Sequence, residues 1–348
     1  MAESISIVIP TYNRAHLIER ALESALRESR PGDDVIVVDN GSTDDTAGVL
    51  APYLGRIRYL HAERRGPGAA RNVGLAHAQG DLVAFLDSDD EWMMGKLDLQ
   101  RRIMAARPDV IFCFTDIANT GTDGSIKRHY LQRWHRDPRP WDEILTPAKS
   151  LSSIATPASD EPDVRVHIGD MYPPQLLAPY VVTSTVVVRR AAAGDALTFA
   201  EDLPVGEDLY CFARLARRGP AAYLDVETSW NNAHVGERAT SVAQLLKMDC
   251  RLRLIERVWG SDPEFLRAHE SVYRRVHNEQ QGLFVRALLA EGRTAEARQA
   301  LAAVEEAPAA YRMLAALPGV LCRGAVSARG AFHAVTAPFR ARKMEYEW

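Results

Sequence analysis

Unbroken apolar runs that each end in polar residues, with amphipathic stretches between them, constrain the fold of this chain more than any other feature. Ile5 to Ile9, Val35 to Val38 and Leu82 to Leu86 are such runs. A strand with one wet face alternates, whereas a strand covered on both faces reads as a continuous apolar run. Between the first two runs Leu17, Ile18, Ala21, Leu22, Ala25 and Leu26 recur at helical spacing, and a second helix is expected from about Ala69 to His77. The alternation predicts an α/β fold, a parallel sheet with helices on both faces. Ligands of such sheets bind beyond the carboxyl ends of the strands. Tyr12, Asp39 and Asp87 to Asp90 all fall there.

The third run ends in Asp87, Asp89 and Asp90. Crowded carboxylates repel one another and resist desolvation, so folding alone gives no reason to place three of them at a strand end. A divalent cation among them removes both costs. The local expectation is a metal site.

A chain of 348 residues, 47% hydrophobic and 25% charged, has room for one large domain and an appendage. Its formal net charge of -4 argues against nucleic acid as a partner. Cys113, Cys211, Cys250 and Cys322 are widely separated and read as reduced, buried thiols. With no charged and apolar leader and no run of membrane-spanning length, a cytoplasmic location is expected.

The segments IVIPTYNR, VVDNGSTDDT, GPGAARNVGL, FLDSDD and VGEDLYCFARLARRG follow one another within residues 4–240. Together they resemble the family 2 glycosyltransferases of the GT-A, nucleotide-diphospho-sugar transferase type. The resemblance implies an inverting glycosyltransferase acting on a nucleotide-diphosphate sugar, with UDP the favoured nucleotide and a glycan or lipid-linked hydroxyl as acceptor. It implies Mg²⁺ or Mn²⁺ held by Asp89, with Asp87 on the ribose or on the metal through water, Ser88 between them, and Asp90 orienting them or reaching toward the acceptor. Pro10, Thr11, Tyr12 and Asp39 would surround the base, and Arg71 would meet the nucleotide or its phosphates. Asp208 would be the general base, with Glu207 as the fallback. His234 would join the metal or the diphosphate, with Arg238 beside it.

Each of these residues has a plainer alternative. Tyr12 could fill the sheet end, Asp39 could cap the DNGSTDDT turn, Arg71 could be a solvated helix residue, and Glu207 and Asp208 could be ordinary acids at a helix start. Two other functions compete. A binding protein without catalysis would lack the Glu-Asp pair; a sugar-phosphate nucleotidyltransferase would carry a glycine-rich loop directly after the first strand.

Eight of the 19 prolines lie between Pro138 and Pro179, and residues 118–177 read as an insertion over the site. Trp134, His135 and Trp141 could stack there on an acceptor sugar or pack the loop itself. A strand is expected from Val110 to Thr115 and another from Tyr180 to Ala192. The domain boundary falls near residue 240, and residues 241–348 read as helical, with one hairpin of tetratricopeptide kind. From Ala307 to Met344 there is no acidic residue, while Arg312, Arg323, Arg329, Arg340, Arg342 and Lys343 lie among apolar ones. That pattern suits the anionic inner face of a membrane, a homodimer contact or a solvated helical face.

Overall fold

The structure, a computed structural model, describes residues 3–135, 137–156, 163–233, 243–304 and 307–327. The chain divides into two compact units, Met1–Glu237 and Arg238–Trp348.

The described strands of the first unit are β1 Ile5–Thr11, β2 Asp34–Asp39, β3 Arg58–His61, β4 Leu82–Phe85, β5 Glu91–Trp92, β6 Phe112–Thr120, β7 Ile126–Lys127, β8 Lys149–Ser150, β9 Arg165–Gly169, β10 Val187–Arg189 and β11 Ala221–Asn232. They form one sheet in the order β3-β2-β1-β4-β10-β6-β11-β9-β8, with β5 also paired to β11 and β7 to β6. β3, β2, β1 and β4 are mutually parallel, as the apolar runs require. β10 then enters antiparallel between β4 and β6, so the sheet is mixed. One face is closed by the helices Ile18–Glu28 and Lys96–Ala106, whose Leu22, Ala25, Leu97 and Ile103 pack with Ile7, Val37 and Ala84 in one core. Burying each such side chain is worth about 1.5–3 kcal/mol, which is the physical cause of the strand-helix alternation.

The helix Pro67–His77 lies directly on β1 and β2: a Cβ built on Gly74 would sit 2.4 Å from Val8 Cγ1. This close approach fixes how far the first turn of that helix, with Arg71, stands from the strand ends.

Within residues 118–177, β8 and β9 complete the far edge of the described sheet, and β9 pairs with β11. One expectation is corrected. The run Tyr180 to Ala192 is strand only at Val187–Arg189; a 3-10 turn, Thr183–Thr185, precedes it and the helical turn Arg190–Ala193 follows. The hydroxyls explain the turn: Thr185 Oγ1 and its own N–H both donate to the Val182 carbonyl, closing the backbone on itself instead of on a neighbouring strand.

The second unit is helical, with helices Gln244–Ile255, Pro263–Ala290, Thr294–Leu301, Ala309–Ala316 and Gly319–Ser327. Asp262 caps the longest, its carboxylate accepting from the N–H groups of Glu264 and Phe265. Leu245, Val285, Leu289, Ala297, Tyr311 and Cys322 form its core. All four cysteines are buried free thiols. Among the described residues no helix is long and apolar enough to cross a membrane.

Candidate active site

β4 ends in a tight turn, where the Asp90 N–H donates to the Asp87 carbonyl at 3.0 Å. Asp90 points inward and is 3% exposed. One of its oxygens accepts from Ser184 Oγ at 2.6 Å and the other from Asn231 Nδ2 at 3.1 Å. Burial, then the neighbouring charges of Asp89 and Asp87, push its carboxyl well above the usual range, against the pull of these two donors. Asp90 thus braces the turn from inside, the first of the two roles expected of it. Ser88 is buried, whereas Asp87 and Asp89 are only partly covered.

Arg71 joins this turn to a segment far away in sequence. Its Nη2 donates to Asp87 Oδ1 at 2.7 Å and its Nη1 to Glu207 Oε1 at 2.9 Å, while the guanidinium lies 5.1 Å from the centre of the Phe199 ring. It is 4% exposed, so it is not a solvated helix residue. Burial disfavours its charge, but Asp87 and Glu207 overcome that and raise its pKa. Glu207 opens the helix Glu207–Ala216 and packs against Gly68. Burial and then Asp208 push Glu207 up to about 7, with Arg71 opposing. Asp208 is raised as well, first by burial and again against Arg71, and its Oδ1 accepts from the Leu209 N–H at 2.7 Å. Of the two candidate bases Glu207 is tied down by Arg71.

The ends of β1 and β2 form the neighbouring part of the cleft. Pro10 and Thr11 are buried, and Thr11 Oγ1 has no hydrogen-bond partner. Tyr12 is half-buried with the Arg64 guanidinium 4.1 Å from its ring centre. Asp39 does cap its turn: Oδ1 accepts from the Ser42 N–H at 2.8 Å, and Oδ2 accepts from the Tyr59 hydroxyl at 2.7 Å.

Hard oxygen donors at a partly open turn fit Mg²⁺ or Mn²⁺, which commonly use one or two protein carboxylates and leave other positions to substrate phosphates. Asp89 and Asp87, the partly covered carboxylates of the turn, could offer such oxygens. The three carboxylates of the turn do not converge on one point. Among the described residues the convergent group is Asp116, His129 and Asp225, whose ligand atoms lie within 4.8 Å of one another. Asp116 Oδ1 there already accepts from the N–H groups of Ile117 and Leu131, and its other oxygen faces His129 Nδ1 at 3.2 Å. His234 and Arg238 lie outside the described residues.

Trp141 is 7% exposed, stacked 4.0 Å from Tyr223 and edge-on to Phe114, Tyr180 and His135. It packs against the interior, the second of the two readings the sequence offered. Trp134 stays 40% exposed.

Sequence reasoning missed Tyr59, Ser184 and Asn231. The three adjacent hydroxyls of Thr183, Ser184 and Thr185 inside an apolar run were the available signal for Ser184. Tyr59 and Asn231 carried none.

Residues 6–153 match the family model described as "Glycosyl transferase family 2". An uncharacterized glycosyltransferase of Rickettsia felis is 39% identical over 133 residues, 38% of this chain and 21% of that protein. The UDP-Glc:alpha-D-GlcNAc-diphosphoundecaprenol beta-1,3-glucosyltransferase WfgD of Escherichia coli is 36% identical over 102 residues, 29% of this chain and 40% of WfgD. The chain thus spans less than half the length of these relatives. Among solved structures, S. aureus TarS 1-349 in complex with UDP-GlcNAc aligns with a TM-score of 0.56 at 18% identity, over 96% of this chain and 92% of that one. The mannosyltransferase PcManGT of Pyrobaculum calidifontis, in complex with GDP-Man and Mn²⁺, aligns with a TM-score of 0.52 at 17% identity, over 92% and 86%. The fold, a mixed sheet flanked by helices with a helical C-terminal region, is that of GT-A glycosyltransferases. The match to glycosyl transferase family 2 covers residues 6–153, and the relatives that align with that region are named glycosyltransferases.

Proposed function

We propose that this protein transfers a sugar from a nucleotide-diphosphate donor, UDP-linked in the favoured case, to an acceptor hydroxyl with inversion. The observation that carries the proposal is the Arg71 bridge, which joins the acidic turn at Asp87 to the carboxylate pair at Glu207, 136 residues from Arg71 in sequence. A nucleotidyltransferase reading gives no role to that second pair, and a binding protein without catalysis needs none.

In this reading Pro10, Thr11, Tyr12 and Asp39 receive the base, and the orphaned Thr11 hydroxyl finds its partner there. Asp89, with Asp87, would hold Mg²⁺ or Mn²⁺. The bound cation stabilises the charge that develops on the leaving diphosphate. Asp208 takes the proton of the acceptor hydroxyl as it attacks the anomeric carbon from the opposite face. Burial raises its pKa, which makes it a stronger proton acceptor than an exposed aspartate. Relatives support uridine as the base: WfgD is named for UDP-Glc and TarS is bound to UDP-GlcNAc.

A thermal-shift panel of nucleoside diphosphates and their sugars, with and without Mn²⁺ or Mg²⁺, tests this. A UDP-sugar at a hundred times its dissociation constant is expected to stabilise the protein by about 2.7 kcal/mol. The metal-dependent part of that gain should vanish in Asp89→Ala. A flat response to every nucleotide would sink the assignment.

The reading extends to a lipid-linked acceptor met at an anionic membrane surface by the second unit. Arg312 and Arg323 are exposed, as are Met313, Val320 and Leu321 on the same two helices, a basic and apolar combination that anionic bilayers attract. Truncation after Pro318 is expected to lower co-sedimentation with phosphatidylglycerol vesicles. Binding that survives the truncation removes the membrane contact, and a concentration-dependent doubling of mass would assign the face to a homodimer.

A further inference from the structure

Ser184 is fully buried in the 3-10 turn Thr183–Thr185, beside the acidic turn yet distant from it in sequence. Its hydroxyl makes two contacts to that turn, and they reach its two ends. Ser184 Oγ accepts from the Asp87 N–H at 3.1 Å and donates to Asp90 Oδ2 at 2.6 Å. Between those two anchors stands Asp89. The serine is itself held from behind, where its carbonyl accepts from Trp92 Nε1 at 2.7 Å and from Ser229 Oγ at 3.2 Å. The next carbonyl, that of Thr185, accepts from Gln100 Nε2 at 2.8 Å. The hydroxyl therefore has a fixed backbone under it. Asn231 completes the hold on Asp90 at the other oxygen.

We infer that Ser184 is a positioning residue for the acidic turn: one hydroxyl locks both ends of Asp87–Asp90 and so sets where Asp89 presents its carboxylate to a divalent cation. The inference rests on the proposed metal-assisted use of a nucleotide-diphosphate donor. A hydroxyl that both accepts and donates does here what neither an alanine nor an acceptor-only group can do. Partners behind a metal ligand of this kind typically change metal affinity by about 10–100-fold when removed, because the ligand must then be ordered at the moment of binding. Asp90, whose oxygens are both occupied, is the strut in this arrangement, and Asp89 is the group it supports.

The test is the Mn²⁺ concentration that half-saturates binding of UDP, read by calorimetry and by melting temperature. Ser184→Ala is expected to raise it about 10-fold or more, with UDP binding in the absence of metal unchanged. Ser184→Thr, which keeps the hydroxyl, should return the metal requirement most of the way to that of the wild type. Asn231→Ala, which removes one donor to Asp90 and an acceptor for Asn119 but leaves the Ser184 hydroxyl in place, should shift it in the same direction by less. A folded Ser184→Ala protein with an unaltered metal requirement overturns the inference, as does an equal loss of metal-free UDP affinity. Should Ser184→Ala prove too unstable to titrate, an unaltered requirement in Asn231→Ala decides against it. Wild-type UDP binding that is indifferent to metal would instead overturn the functional reading itself, which no result with the variants alone could do.

Discussion

Asp208→Asn is expected to lower sugar transfer by about 10²–10⁴, the usual contribution of a positioned general base, while leaving donor affinity intact. Two structural facts direct the prediction to Asp208 over its neighbour. Glu207 is 7% exposed and its Oε1 is committed to Arg71, so drawing it toward an acceptor would leave a buried guanidinium with one partner fewer. Asp208 Oδ1 accepts from the Leu209 N–H, and the carboxylate lies close enough to Arg71 and Asp87 for both charges to act on it. The amide of asparagine preserves the size and the helix start but cannot take a proton. Release of nucleoside diphosphate from the donor in the presence of acceptor gives the rate, and calorimetry gives the donor affinity. If both fall together, Asp208 shapes the cleft and another group takes the proton.

Arg71→Met should produce the largest loss of stability of any single change at the site. Removing one member of a buried ion network leaves its partners charged and uncompensated, at a cost of about 3–5 kcal/mol. For a unit of this size that corresponds to a fall of roughly 6–20 °C in melting temperature. The deficit should depend on pH. Glu207 has its folded pKa raised to about 7, above its ordinary value, so protonation favours the folded state and stability is lost as pH rises through that range. Arg71 restrains this shift, and it restrains the rise of Asp208 too. Without it both carboxyls shift further upward, and the gap between variant and wild type should be wider at pH 8 than at pH 5. Urea titrations at the two pH values measure it. A gap independent of pH would show that Arg71 acts by filling space.

The parts of the fold that were legible in the sequence are those written by continuous burial. β1, β2 and β4 lie where unbroken apolar runs predict, because a strand covered on both faces leaves no polar position to blur the pattern. The far edge was illegible for the opposite reason. β8 has two residues and β9 five, too few for a period to emerge among so many prolines. The run ending at Ala192 was read as one strand because β-branched residues serve a buried turn as well as a ladder, and hydrogen bonding by its hydroxyls chose the turn. At the site, the strand ends named Asp39 and Asp87 to Asp90. What sequence could not show is which acid touches which base: that Arg71 is shared by Asp87 and Glu207, or that Asp90 is turned inward. Those facts depend on the spacing of elements, which no local pattern records. Trp141 shows the limit from the other side, since an aromatic residue in a loop reads alike whether it meets a sugar or Tyr223.

Gly74 shows that the reach of Arg71 is set on the side of its helix that never faces a ligand. Even a methyl group there would strike Val8, pressing the helix away from the sheet and carrying the guanidinium away from its two carboxylates. A position that looks like mere filler beneath the helix thus acts as a shim for the cleft, and wear at it would read in an assay as failed chemistry.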